Sequence, residues 1–288
     1  MGNKLNFSEK RTQFLLAGTS PDGLILRSLN RGKTWSNLGS LGKGNPTSFC
    51  KLSNGDVLYG TDAGWVVNYT VGISVQASYY GITTINTYGT DIAINDLNGD
   101  FSYCLDAQTM IFTFNKHFSY PSNTFLEDVG TWFTSNGIYL WGMDEMLVQS
   151  GDFTCAIDVG NGFVYAGTSN GHIWRNTTIN DFATWTDLGD KTGDGYTIYS
   201  IALCANGRIL YHPQSYSIYY TDDEFSTVQS SSGGIDPVST HINAIKYTEN
   251  NIVIGAGDNG ELEYSTDNGS TFINIGQQYL QTSINCLI

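Results

Sequence analysis

Six times along the chain, an alternating apolar segment enters a tight Asn-Gly-like turn and leaves as a second apolar segment. The copies are SFCKLSNGDVLYGTDAG, IAINDLNGDFSYCLDAQ, GTWFTSNGIYLWGMDE, AIDVGNGFVYAGTSNG, SIALCANGRILYHPQ and NAIKYTENNIVIGAGDNG. A two-residue turn of this kind needs positive φ at both central positions, which Asn and Gly supply, so each copy reads as a β-hairpin. The turn positions Gly55, Gly99, Gly137, Gly162, Gly207 and Asn251 are spaced by 44, 38, 25, 45 and 44 residues. A period in the low forties is that of a four-stranded propeller blade. The 25-residue step leaves room for a blade that lacks its outermost strand, or for a Gly137 that belongs to a different hairpin.

The two ends of the chain complete the pattern. The last residues, SINCLI, resemble the first strand HINAIKY but have no second strand after them. Near the start, TQFLLAGTSPDG matches VYAGTSNG and IVIGAGDNG but has no first strand before it. The C-terminal strand is therefore expected as the inner strand of the first blade, with the N-terminal strand beside it. Closing a ring in this way removes the exposed sheet edges that invite aggregation. The expectation is an all-β chain forming a single β-propeller over residues 1–288. It has seven blades, or six if Gly99 and Gly137 share one blade, and a short N-terminal arm at 1–11.

A second signature lies beyond these hairpins. YSTDNGSTF presents Ser265, Asp267, Gly269, Thr271 and Phe272, and RSLNRGKTW presents Ser28, Asn30, Gly32, Thr34 and Trp35. Looser copies are INDFATW, with Asp181, Thr184 and Trp185, and YTDDEFSTV, with Asp222, Ser226 and Thr227. The pattern resembles the S-x-D-x-G-x-T-W motif of the Asp-box (BNR) repeat propellers, a group that includes sialidase-like and sortilin-like members. Residues 66–155 carry no such box, so the resemblance covers about two thirds of the chain. The resemblance implies a structural role for the box. Its Asp or Asn accepts backbone N–H groups to close a turn, its Gly takes positive φ, and its aromatic residue packs between sheets.

Sialidase chemistry is the activity the resemblance brings to mind, and the sequence argues against it. Such a site uses three arginines for the substrate carboxylate, a Tyr–Glu nucleophile pair and an acidic Asp. This chain has only Arg11, Arg27, Arg31, Arg175 and Arg208, two of them in or beside the first box, and no FRIP segment. A general glycosidase needs two facing carboxylates. Asp22, Asp62, Asp106, Asp144, Glu145 and Asp258 are expected in loops after second strands, on one face of the ring. Asp is also a common turn residue, so those loops do not by themselves specify catalysis. They leave open a calcium ion, although no EF-hand spacing is present. No other cofactor is expected. The histidines His117, His172, His212 and His241 form no metal-binding spacing, and neither a GxSxG elbow nor a phosphate loop occurs.

The five cysteines stand far apart with no CxxC pair, which reads as free thiols in the core. A net charge of -14 with a pI near 4.4 excludes a phosphate-neutralising stripe, so no nucleic acid is expected. No run of eighteen apolar residues occurs, so no helical membrane span is expected, and the N-terminal segment has no signal-peptide-like apolar run. Tyr79, Tyr80, Tyr120, Trp65, Trp132 and Trp141 fall in the box-free middle, where they supply rigid amphipathic contact area. The candidate ligand face is therefore Asp62, Trp65, Asp106, Trp132 and Asp144. The functional expectation is a non-catalytic interaction or scaffold module. Only 14% of its residues are charged, and Asn, Ser, Thr and Tyr are abundant. This composition suggests a part of a larger assembly such as a virus or phage particle, located in the virion or the cytoplasm of an infected cell. The alternatives are a carbohydrate-binding or divergent glycoside-hydrolase propeller, with secretion as the alternative location, and a cellular assembly factor.

Overall fold

The structure is a computed structural model. It describes residues 14–52, 54–88, 91–98, 100–104, 110, 112–117, 122–126, 131–134, 137–140, 147–160, 163–177, 184–214, 217–233, 242–248, 251–275 and 283–288. These residues form seven sheets. The first holds β1 (Leu15–Ser20), β2 (Ile25–Ser28) and β3 (Ser36–Asn37), and the second β4 (Pro46–Lys51), β5 (Val57–Thr61), β6 (Trp65–Asn68) and β7 (Ile73–Gln76). The third is β8 (Ile82–Tyr88), β9 (Asp91–Asp96), β10 (Asp100–Cys104) and β11 (Thr113–His117). The fourth is β12 (Ser122–Leu126), β13 (Thr131–Thr134), β14 (Gly137–Leu140) and β15 (Leu147–Ser150). The fifth is β16 (Phe153–Gly160), β17 (Phe163–Thr168), β18 (His172–Asn176) and β19 (Trp185–Asp190). The sixth is β20 (Ile198–Leu203), β21 (Ile209–Pro213), β22 (Tyr219–Thr221) and β23 (Gln229–Ser230). After a short β24 (Ser232–Gly233), the seventh is β25 (Ile242–Thr248), β26 (Ile252–Gly257), β27 (Leu262–Ser265) and β28 (Thr271–Asn274). The final strand, β29 (Ser283–Leu287), joins the first sheet.

Within each sheet the strands follow chain order and pair antiparallel, a meander from inner to outer edge, except that β24 adds a short parallel strand outside β28 in the seventh sheet. β29 departs from chain order but takes the inner position of the first sheet: it pairs with β1, Ala17 opposite Leu287 and Ser20 opposite Ser283. The first strands neighbour one another in turn, from β29 through β4, β8, β12, β16, β20 and β25 back to β29. The molecule is an all-β propeller.

Burial follows from this layering. A second strand has a sheet on both sides, so it reads as an unbroken apolar run rather than an alternation. β5, β21 and β26 are buried at every residue, whereas the outer strands β3 and β23 are exposed. Neighbouring sheets touch closely there. A β-carbon on Gly60 would sit 2.5 Å from Ile82, and one on Gly167 would sit 2.8 Å from Ile198, so small residues are required.

One irregularity recurs in every sheet. The pairing of first and second strands slips by one residue, with Thr47, Thr83, Asn123, Thr154, Tyr199, Asn243 and Asn285 at the point of the shift. Such a bulge bends and twists the strand. Three of these residues also bridge to the next sheet: Thr47 Oγ1 donates to the Ile82 carbonyl at 2.6 Å, Thr154 Oγ1 to Ile198 at 2.5 Å, and Asn243 Nδ2 to Ile284 at 3.3 Å.

The hairpin spacing is reinterpreted by the topology. Gly55, Gly162, Gly207 and Asn251 lie between first and second strands, but Gly99 lies between β9 and β10 and Gly137 opens β14. Those two hairpins join second to third strands. The 25-residue step therefore compares two different turns, and the sheet that contains Gly137 has all four strands. Gly99 and Gly137 also belong to separate sheets, so they do not share a blade.

Candidate functional site

The antiparallel meander sorts the connections onto two faces. Turns between second and third strands share a face with the links from one sheet to the next. Turns between first and second strands share the opposite face with the third-to-fourth hairpins.

On that opposite face, the box-like hairpins show one hydrogen-bond pattern. Ser265 Oγ accepts the Gly269 N–H at 2.8 Å, while Asp267 accepts the Thr271 N–H at 2.9 Å and its hydroxyl at 2.7 Å. In the first sheet Ser28 Oγ accepts from Gly32 N–H at 2.8 Å, Asn30 Oδ1 from Thr34 N–H at 2.8 Å, and Trp35 Nε1 donates to the Gly32 carbonyl at 2.9 Å. The sixth sheet repeats the pattern with Thr221 and Asp223: Thr221 Oγ1 accepts from Phe225 N–H at 3.0 Å, and Asp223 from Thr227 N–H at 2.8 Å and its hydroxyl at 2.7 Å. Asp223, not Asp222, is thus the closing carboxylate. Asp222 instead pairs with Arg208 at 2.7 Å. Hydrogen bonds led by the Thr227 N–H hold the Asp223 carboxyl below its usual range. At Asp267, burial works to raise the carboxyl, but the Thr271 and Ser265 bonds outweigh it. In the fifth sheet Asp181 lies outside the described residues, Thr184 is exposed, and Trp185 opens β19 with its ring 6.5 Å from that of Phe153.

Sequence reasoning missed one relative of these hairpins. The third strands of five sheets end in Ser28, Asn68, Asn176, Thr221 and Ser265, each at most 2% exposed, a burial that obliges a polar side chain to bond. Asn68 closes a turn without an Asp box, accepting N–H groups from Thr70 at 3.1 Å and Val71 at 3.2 Å. The available signal was the buried polar residue ending each third strand.

The other face carries the candidate site. Tyr79 is 95% exposed on the link between β7 and β8, with Tyr80 at 50% beside it. Leu97 (60%), on the turn after β9, abuts this link: a β-carbon on Gly81 would lie 3.0 Å from its side chain. The link is rigidly seated. Ala77 and Ser78 N–H groups both donate to the Gly64 carbonyl, Tyr80 N–H donates to Ser78 Oγ at 2.9 Å, and Ser78 Oγ in turn bonds the buried Asp96. Lys43 lies over the half-buried Trp65 ring at 3.7 Å. Leu41 and Tyr196 extend the exposed apolar character along the same face.

Of the candidate ligand residues, Asp62 and Trp65 stand together here. Trp132 lies in β13, a second strand. Asp106, Asp144 and Glu145 lie outside the described residues. Asp22 and Asp258 share the face of Asp62, each in a turn between a second and a third strand.

Three carboxylates on this face are engaged by protein donors. Asp62 accepts from Asn45 N–H at 2.8 Å and Nδ2 at 2.7 Å, and Asp258 from Asn243 at 3.0 Å. Asp190 accepts N–H groups from Thr192 at 2.7 Å and Gly195 at 3.0 Å. Burial tends to raise the Asp190 carboxyl, but these bonds prevail and hold it below its ordinary value. Among the described residues no group of three or more His, Cys, Asp or Glu is placed to hold a metal ion. All five cysteines are buried free thiols, and burial pushes Cys155, Cys204 and Cys286 up to about 12. At neutral pH these thiols are protonated and so unsuited to nucleophilic work. His172 pairs with Asp187 at 2.8 Å, and His212 is fully buried.

No protein-family model matches the chain, and no curated protein matches it. Solved structures match it at the level of the fold. The WD40 β-propeller domain of Doa1 is 15% identical with a TM-score of 0.63, covering 84% of this chain and 86% of that one. YCF48 bound to D1 peptide gives 12% identity and a TM-score of 0.66 over 84% and 86%. A putative 6-phosphogluconolactonase from Bacteroides uniformis gives 14% and 0.69 over 96% and 98%. The chain spans only 38% of another match, the extracellular domain of a putative one-component system from B. thetaiotaomicron. At these identities the likeness concerns the fold alone, which hosts enzymes and binding modules alike. Among the described residues, no helix is long and apolar enough to cross a membrane.

Proposed function

We propose that this propeller is a non-catalytic interaction module of the Asp-box class, and that it docks another protein on the face bearing Tyr79. The box assignment is supported by the shared hydrogen-bond pattern of three hairpins. The docking assignment rests on one observation: a tyrosine left 95% exposed on a link that is otherwise fixed by hydrogen bonds, with Tyr80 and Leu97 beside it. Rigid aromatic area costs little entropy to immobilise, which suits a contact surface. The non-catalytic reading is supported by the bonds that engage Asp62, Asp190 and Asp258. The structural neighbour YCF48, described with a bound peptide, lends this reading a precedent at the level of the fold.

Composition supports one setting for such a module, a structural or attachment component of a virus or phage particle. Neighbouring genes for other particle proteins are the expected finding, and metabolic neighbours would refute it. A glycan is the second reading, because the flat and open Tyr79 ring is also a stacking surface for a sugar. Three assays together test the proposal: co-purification of the native assembly, a glycan array and a reporter-glycoside screen. The double substitution Tyr79→Ala, Tyr80→Ala is expected to abolish co-purification while leaving the melting temperature unchanged. Glycan binding lost in that variant moves the reading to a lectin. Hydrolysis that disappears in Asp62→Asn or Asp258→Asn overturns the non-catalytic reading.

A further inference from the structure

The seam between the sixth and seventh sheets contains two carboxyl groups that the box pattern and the docking face leave unused. Glu261 and Glu263 flank Leu262 at the start of β27, and each is 1% exposed. Alternation along the strand puts both on one side, the side of their partners Gly257 and Gly255. A β-carbon on Gly255 would have Glu263 Cγ at 3.8 Å, Ile242 at 3.7 Å and Ile218 of the sixth sheet at 3.5 Å. Gly255 thus leaves room beside Glu263, in a seam whose apolar cluster includes Leu210, Ile218, Val253 and Phe272. Glu261 accepts a hydrogen bond from Asn274. Both carboxyl oxygens of Glu263 are buried and have no hydrogen-bond partner among the described residues.

An ionised carboxylate in such a place would lose its hydration with no compensating donor, whereas a protonated one loses far less. We propose that Glu263 retains its proton in the folded protein and acts as a pH latch on this seam, which tightens in acid and loosens as the proton leaves. Among the described residues, the titratable side chains on the strands packed around it include Glu261, Asp258 after β26, Lys246 and Tyr247 on β25, Tyr220 on β22 and His212 on β21. The Glu261 charge acts on Glu263 in the same direction as burial. Burial first, and the Glu261 charge second, push the Glu263 carboxyl up to about 8 from an ordinary 4.5. Between those two values the unfolded chain gives up a proton that the folded chain keeps, so stability falls as pH rises and levels off above about 8. Below 4.5 the group is protonated in both states and has no effect.

Urea unfolding of the full chain between about pH 5 and pH 9 tests the latch, with wild type, Glu263→Gln and Glu261→Gln compared in EDTA and in calcium. Wild type and Glu263→Gln are expected to agree near pH 5. Above it, the wild-type unfolding constant should outgrow that of the variant by up to about tenfold per pH unit until the plateau. Glu261→Gln, which removes the neighbouring charge, should shift the wild-type midpoint to lower pH. That variant also keeps the test decisive if Glu263→Gln does not fold. Parallel curves for wild type and Glu263→Gln, or an unmoved midpoint in Glu261→Gln, overturn the proposal. So does a calcium-dependent gain in stability at high pH that Glu263→Gln lacks, since the pair would then hold a cation rather than a proton.

Discussion

At position 225 a phenylalanine occupies the left-handed backbone slot that Gly32 and Gly269 fill in the other box-like hairpins, with φ of 67°, 83° and 79° respectively. A β-carbon on Gly32 would lie 2.2 Å from Ile254, and one on Gly269 would lie 2.5 Å from Leu210. Phe225 instead places its ring beside Tyr165 and Tyr211, with centroids 5.2 Å and 5.6 Å away. Gly269→Ala is therefore expected to cost roughly 1–3 kcal/mol in urea unfolding, through both strain and overlap. Phe225→Gly relieves the left-handed strain but empties a buried aromatic site, and a net loss of roughly 2–4 kcal/mol is expected. This substitution also explains a misreading of the sequence. In YTDDEFSTV the glycine landmark is missing, so the box carboxylate was assigned to Asp222, one residue before the true position. Asp223→Ala should lower the melting temperature more than Asp222→Ala, because only the first removes the bonds that close the turn; equal effects would contradict the assignment. Asp190, Asp223 and Asp267 are all held below the ordinary 3.8. Their contribution is complete above that value and is lost as pH falls through the lower folded-state values. Thermal melts below about pH 4 should show this acid limb, opposite in sign to the Glu263 effect.

The strands themselves were legible because a buried second strand must be apolar and its hairpin must turn on Asn or Gly. Which hairpin a given turn belongs to was less legible. An Asn-Gly pair reports a tight turn but not its place in the blade, and in the third and fourth sheets it marks the second-to-third turn. The bulged first strands were not foreseen, since Thr47, Thr83 and Thr154 look like ordinary strand residues. Their contribution can be isolated at this scale. Thr154→Val keeps the side-chain shape and removes the bond to the Ile198 carbonyl, so a loss of about 1 kcal/mol is expected. The same substitution at an exposed strand residue such as Thr186 should be close to neutral, and no difference between the two would remove the bulge bridge from the account of seam stability.

For the molecule as a whole, the pairing of β29 with β1 was readable from two incomplete repeats at opposite ends of the sequence. The placement of ligand loops was only partly readable, because it depended on the strand count within the box-free sheets. Deleting residues 283–288 would expose the edge of β1 and break the cycle of inner strands. Loss of the monomer peak in size-exclusion chromatography is expected, with aggregation at 25 °C as the outcome of an open edge. A soluble, cooperatively melting truncation would show that the seam is dispensable.

That seam also determines how the molecule can be tethered. Leu16 and Ile288 exchange backbone hydrogen bonds in both directions at 3.0 Å, on the side of the ring that carries the box-like hairpins. A fusion, an affinity tag or a bead linker joined after Ile288 thus departs from that side, while Tyr79 lies on the other. One handle can anchor the protein and leave the tyrosine surface open to whatever it grips.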